Sequence, residues 1–367
     1  KFTGSVEANL INGLQSVAGK VRQLAAYQTY TGNPNMIGNE LQRYTNVKKE
    51  DVMRVYNQYI KSKPGVILST VIKSQENNIV APTNYTVITS NYNAPDYGYA
   101  GLAYSKPKDK FDRTKLPGNG PNPVIKVPAF WTKTLDNGMK VIGTESKELP
   151  IVTLSIALPG GHLLQSQDTA KIGLARMFAL MMNEDTKNYT AEQLQFELQR
   201  LGSSVTVNNE FDAVSFNVQT LKKNIDKTLQ LVEERMLNPR FTPEAFSRLQ
   251  KQTMEGFKQR KSQPATIASD VFAKLNYGGN HILGVNEVGT EYTVKNMTVK
   301  DVESYYDKYF TSMGARVVVV GDIPQADIFG KLNFLNKLPK KDIQLPSVAG
   351  PSAIDKTRIY LVDVPKA

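Results

Sequence analysis

Two histidines and no cysteine set the first limits on chemistry. His162 and His281 stand 119 positions apart, so no two imidazoles share a helix face at i and i+4 to grip one metal ion. Both read as surface or loop residues. The absence of cysteine removes disulfides and thiolate metal sites. Gly118-Asn-Gly120 lies in a proline-rich stretch, and 317–321 ends in Gly-Asp instead of a glycine-rich turn opening a helix, so no dinucleotide site follows.

Composition narrows the field further. The chain has 367 residues, 40% of them hydrophobic, which suffices for two cores. No run of eighteen apolar residues occurs, so no transmembrane segment is expected. The formal net charge is +11, and it is uneven. Residues 1–73 carry ten Lys/Arg against four Asp/Glu, whereas 126–200 balance at eight each. Such an excess suits nucleic acid, an anionic membrane surface or an acidic substrate. No basic run exceeds two residues, however, and no RNP, zinc-finger or P-loop pattern accompanies it, so solvated faces account for it better. Lys1 is not an initiator Met and no signal-peptide pattern follows, so the chain reads as starting inside a longer precursor. A processed or truncated N-terminus and the missing cysteines favour a periplasmic or otherwise exported setting.

The elements that must position any site begin with residues 169–186. Ile172, Ala175, Phe178, Ala179 and Met182 recur at helical spacing, and Leu174, Met177 and Met181 widen the apolar face. The pattern predicts one buried helix, with Asp168 or Thr169 as N-cap. A second helix over 190–201, Gly202, and strands over 203–210 and 213–221 come next. Upstream, Trp131–Leu135 and Met139–Gly143 flank Asp136-Asn137-Gly138, a hairpin signal, and 151–158 reads as a strand. Downstream, helices are expected over 222–236, 243–261 and 264–277. Residues 1–62 look helical, with a first helix over 6–27, a second over 34–44 and a third from Lys48. Residues 74–126 are proline-rich and read as a linker.

The N-terminal end recurs. Asp51, Val52, Tyr56 and Tyr59 match Asp301, Val302, Tyr306 and Tyr309 at one offset of 250, and an apolar stretch follows each helix, 66–71 and 317–320. A shared helix–turn–strand unit at that distance implies a duplicated domain type.

Helix, helix, glycine and β-pair in this order resemble the pitrilysin/insulinase/mitochondrial-processing-peptidase superfamily of inverted-motif zinc peptidases. Those enzymes place His-x-x-Glu-His after a Gly-Leu-Ala-type entry. Here Gly173-Leu174-Ala175 is followed by Arg176, Met177, Phe178, Ala179 and Leu180. Two imidazoles and a glutamate would bind zinc and take a proton from its water, and Arg176, Ala179 and Leu180 do neither. Leu135-Asp-Asn-Gly-Met-Lys-Val141 fits the family's opening phrase, and Asn238-Pro-Arg-Phe-Thr-Pro-Glu244 the phrase before its long helix. Counting from Leu180 places the family's third ligand near Glu255 and Gly256. Glu255 is the candidate relic, although without two histidines it reads as a solvated helix residue. The strand over 203–210 corresponds to the edge strand that active halves offer to substrate, with Val205, Val207 and Asn209 as candidates.

The resemblance implies an α+β fold, a mixed or antiparallel sheet with helices packed on one face. It divides the chain into the end of a preceding peptidase-like domain (1–73), the linker (74–126), a complete inactive domain (127–325), a second linker (326–344) and the first strand of a following domain (345–367). The function implied is the inactive half of a pitrilysin-type zinc endopeptidase, a chamber wall and platform for a peptide substrate. Zinc is expected in an active partner half, on the same chain or on another subunit, and no cofactor or catalytic residue in this segment. The alternative is a non-enzymatic structural core subunit, and a lesser one is a basic module for nucleic acid or a membrane surface.

Overall fold

The structure, a computed structural model, describes residues 3–82, 84, 95–105, 110, 112, 114–116, 118–122, 124, 126–351 and 356–364. It forms two units, residues 1–46 with 128–367, and residues 47–127. Helices α1 (Thr3–Asn12), α2 (Val17–Thr31) and α3 (Ile37–Thr45) belong to the larger unit, and α4 (Lys49–Tyr59) to the smaller.

Six strands carry the larger unit: β1 (Trp131–Thr134), β2 (Lys140–Glu145), β3 (Ile151–Pro159), β4 (Ser204–Asn209), β5 (Ala213–Leu221) and β6 (Arg316–Gly321). Their spatial order is β1-β2-β6-β3-β5-β4. Only β2 and β6 run parallel; the other neighbours are antiparallel. The register aligns Val207, Phe216, Ile156, Val317 and Val141 in one row across five strands, and all five are buried. The next row, Thr206, Asn217, Ser155, Val318 and Ile142, points the other way, as the two-residue period requires, and none of it is fully buried. One face is therefore core and the other is not.

The remaining helices are α5 (Leu174–Met181), α6 (Ala191–Leu201), α7 (Ile225–Leu237), α8 (Pro243–Arg260), α9 (Pro264–Tyr277), α10 (Glu291–Lys295), α11 (Val299–Tyr309) and α12 (Gln325–Lys331). Residues from α5, α6, α7, α8 and α11 share one core with the buried sheet face. Phe178 of α5 sits at its centre, with ring centroids 4.7 Å from Tyr305, 6.2 Å from Phe241 and 6.5 Å from Phe310. Ile328, Leu332, Leu335 and Leu338 are buried in that same core. The stretch 326–344, expected as a linker, therefore belongs to the domain as far as Leu338.

Four other expectations are corrected. The helix expected over 169–186 is cut to α5, with a short 3-10 turn at Thr169–Lys171 ahead of it. Gly173 is the reason: its φ of 99° is left-handed, and a Cβ there would lie 2.6 Å from the Val288 carbonyl oxygen, so the helix can start only after it. The single helix over 6–27 is two, because Ser16 caps α2 by accepting the Gly19 N–H at 3.0 Å. The α1 helix also packs on the main domain, where Ser5 donates to the Gln199 carbonyl, so the first 46 residues do not group with 47–73.

The strand expected from the apolar stretch at 66–71, and residues 356–363 within the strand expected over 345–367, are extended but unpaired among the described residues, with Val66, Leu68, Ile359 and Leu361 almost wholly exposed. A strand is defined by its neighbours, and β6 has two where 66–72 has none. The helix half of the repeat is kept. Asp51 accepts the Lys48 N–H at α4, as Asp301 accepts the Thr298 N–H at α11.

Asp301 does more than cap. Burial raises its carboxyl pKa, but the Lys171 ammonium at 2.8 Å and the Thr298 N–H and hydroxyl outweigh that and hold it below the ordinary value. The stability this gives is fully present above the ordinary pKa of 3.8 and is lost as pH falls through the lower folded-state value. Asp301→Ala is expected to lower unfolding free energy by about 1–2 kcal/mol at pH 7, with the deficit shrinking only as pH falls below the ordinary pKa of 3.8, as read by urea titrations across pH. Phe178→Ala, which empties the aromatic centre, is expected to cost about 3–5 kcal/mol in the same measurement.

Candidate functional site

Helix α5 lies beside the edge strand β4, and its two ends meet different surroundings. Arg176 near its start and Leu180 near its end share a side and line a cavity of about 400 Å³. Helix α8 supplies the facing wall through Leu249, Gln252, Thr253, Gly256, Gln259 and Arg260. The Arg176 guanidinium is 3.7 Å from Glu287, and Arg260 holds both oxygens of Asp270 at 3.0 and 3.1 Å. The cavity is thus lined by two guanidinium groups, each beside one carboxylate, with side-chain amides and an apolar floor.

Ala179 does not line this cavity and is buried. Glu255 is not in the lining either. It points to solvent and pairs with Lys258 at 2.8 Å, and that hydrogen bond lowers its carboxyl pKa. Its neighbour Gly256 takes the facing position, and a Cβ there would meet nothing within 4 Å. Of the two positions counted from sequence, Gly256 opposes Arg176 and Leu180.

The donor set decides what this place can hold. A guanidinium stays protonated and offers no lone pair, and Leu180 and Gly256 have no side-chain donor atom at all. Among the described residues no group of three or more His, Cys, Asp or Glu is arranged for a metal ion. The residues here do not fit zinc. The guanidinium groups and side-chain amides of the lining can bind a ligand.

The three strand candidates lie where expected in the sheet, since β4 is at its edge. Val205 and Val207 bury their side chains in the core, and Asn209 donates to Glu287 at 3.1 Å. Two residues that the sequence did not single out meet the edge. Asn183, just past α5, bonds the Val207 backbone, and Arg235 of α7 donates to the Val205 carbonyl at 2.5 Å. Arg235 is nearly inaccessible, and burial lowers its pKa to about 10, so it remains a cation at neutral pH. No local pattern marks either residue, because their partners are at least 24 positions away.

His162, expected at the surface, is buried. Its Nε2 lies 3.0 Å from the carbonyl oxygens of Ile282 and Val285, and it ties the loop after α9 to the end of β3. His281 stacks on Tyr277 with centroids 5.7 Å apart and accepts the Leu283 N–H through Nδ1. Each histidine is thus engaged in local structure.

Comparison with known proteins agrees with this geometry. The chain is 26% identical over 206 residues to a non-peptidase homolog, YmxG, of Helicobacter pylori, covering 54% of this chain and 46% of that protein. It is 23% identical over 231 residues to the zinc protease PqqE of the same organism, covering 61% and 51%. The chain therefore spans about half the length of the curated relatives it matches. The fold is that of a peptidase M16 inactive domain from Pseudomonas fluorescens, with a TM-score of 0.56 at 21% identity over 61% of this chain and 54% of that one. Residues 140–282, which hold α5, β4 and the cavity wall on α8, match the family model described as Insulinase (Peptidase family M16). Through that domain the chain is similar to the insulinase family, peptidase family M16.

Proposed function

We propose that this chain is part of the inactive half of a pitrilysin-type zinc endopeptidase, forming chamber wall and substrate platform beside an active half that carries the metal. One observation carries the reading. The cavity between α5 and α8 brings together Arg176 and Leu180, where the resemblance puts two histidines, and Gly256, one of the two positions where it puts a glutamate. Groups that cannot coordinate at these positions fit a half that has kept its packing and lost its chemistry. The relatives bear on it from both sides, one being a non-peptidase homolog and another a zinc protease.

Within this reading, 47–72 is the closing helix and strand of a preceding domain of the same type. The shared Asp51 and Asp301 caps support that, as does the exposure of Val66 and Leu68. Residues 345–367 open a following one. The apolar surface at these stretches is then covered by the rest of those domains. Zinc belongs to the active half, whether on the same chain or on another subunit, and an unfolded peptide is the substrate class. A periplasmic or otherwise exported setting is the compartment we propose. No described helix is long and apolar enough to cross a membrane.

The test rebuilds the site. Arg176→His with Leu180→His places two imidazoles one helical turn apart on the cavity side, and Gly256→Glu adds the third ligand from α8. This triple variant is expected to bind about one zinc per chain, whereas the wild-type chain binds none at equal total zinc, both read by elemental analysis after gel filtration. Stoichiometric zinc on the wild-type chain, or a folded triple variant that takes up none, overturns the reading. Wild-type chain is also expected to leave an unfolded polypeptide uncleaved.

A further inference from the structure

Strand β4 ends the sheet on one side, and a free edge is a template for pairing with any extended polypeptide. In an antiparallel pair, alternate residues turn both N–H and C=O away from the neighbouring strand. On β4 the outward-turned residues include Val205 and Val207, and the alternation adds Asn209.

Three of those outward groups, the Val207 N–H and C=O and the Val205 C=O, are engaged. The Asn183 side-chain amide accepts the Val207 N–H at 3.0 Å and donates to the Val207 C=O at 2.9 Å. That is the same two-point pairing that one residue of an added strand would make. Its second amide hydrogen goes to the Ala179 C=O at 2.8 Å, which anchors the amide to α5. Arg235 donates to the Val205 C=O at 2.5 Å and reaches Asn183 Oδ1 at 3.4 Å. Both donors and both acceptor sites of the Asn183 amide are therefore in use. Farther along β4, the Asn209 side chain is held by Glu287, itself beside Arg176.

We infer that Asn183 and Arg235 occupy the β4 edge as an internal substitute for a bound strand, so that this domain does not hold polypeptide by strand addition at Val205 and Val207. The inference is independent of the peptidase reading, because the same bonds close the edge to any extended chain. It changes what a platform means here. Substrate that passes this wall meets side chains, not a row of free backbone groups, and slides instead of pairing. It also removes a hazard, since an edge left open beside an apolar core invites association between copies.

The experiment uses the 367-residue chain and, as probe, reduced and carboxymethylated α-lactalbumin, a permanently unfolded polypeptide. Amide hydrogen exchange is followed by NMR along 204–209, with and without probe. In the wild-type chain the Val207 amide is expected to exchange slowly, and the probe to leave it unchanged. In Asn183→Ala the same amide is expected to exchange at least about tenfold faster, and the probe to bind and restore protection along 205–209. Asn183→Asp keeps the acceptor for the Val207 N–H but removes both donors. It is read alongside to cover a failure of Asn183→Ala to fold, and a weaker gain of probe binding is expected. Probe-dependent protection at Val205 and Val207 in the wild-type chain overturns the inference. So does a folded Asn183→Ala chain whose Val207 exchange is unchanged or whose opened edge takes no probe.

Discussion

Phe178 holds this domain's arrangement together. Its ring lies among Phe241, Tyr305, Tyr306 and Phe310, and Phe310 in turn packs edge-on to Phe216 of β5. A helix of eight residues is too short to persist by its own hydrogen bonds, so burial of this face fixes α5 in place. Once Phe178 is seated, the periodicity of the helix does the rest. Arg176 and Leu180, two positions to either side, turn toward α8, and Ala179 turns into the interior. Asn183 is delivered to the outward side of β4.

The same constraint leaves the cavity side of α5 free to vary. Arg176 and Leu180 lie on that side, away from the aromatic centre, so their identity is free of the packing that holds the helix. A long cation and an apolar side chain are both accommodated there because the cavity is open, and Gly256 can stand opposite them because nothing presses on it. Chemistry and architecture are carried by different faces of one short helix, so chemistry can disappear alone.

Much of the fold was legible because it is written in local periodicity. The strand β5 runs over Ala213–Leu221 and the helix α9 over Pro264–Tyr277, the limits that alternation and proline placement give. The hairpin at Asp136-Asn-Gly138 was equally clear. Features set by distant partners were not. The start of α5 depends on Gly173 turning beneath the Val288 carbonyl, and the burial of His162 depends on carbonyls 120 and 123 residues later. The apolar run at 66–72 has the composition of a strand, yet it has no neighbours among the described residues. For the site, the resemblance pointed to Arg176, Ala179, Leu180 and to Glu255 or Gly256, and the packing of α8 sets Gly256, not Glu255, against the cavity.

The edge of β4 belongs to the same class of long-range effect, and it shows how one substitution pattern can shape another. Where a helix beside an edge strand must leave room for a metal, a water and a passing peptide, the strand's outward groups have to stay unpaired until substrate arrives. With a buried alanine at position 179 and an asparagine at 183, helix and strand are joined by bonds instead. The buried Arg235 cation makes that closure harder to reverse, because withdrawing its partners would leave a desolvated charge with fewer acceptors. On the proposed reading, exchange of the ligands and closing of the edge together remove the two things a catalytic half asks of this place, a reacting group and a grip on the chain to be cut.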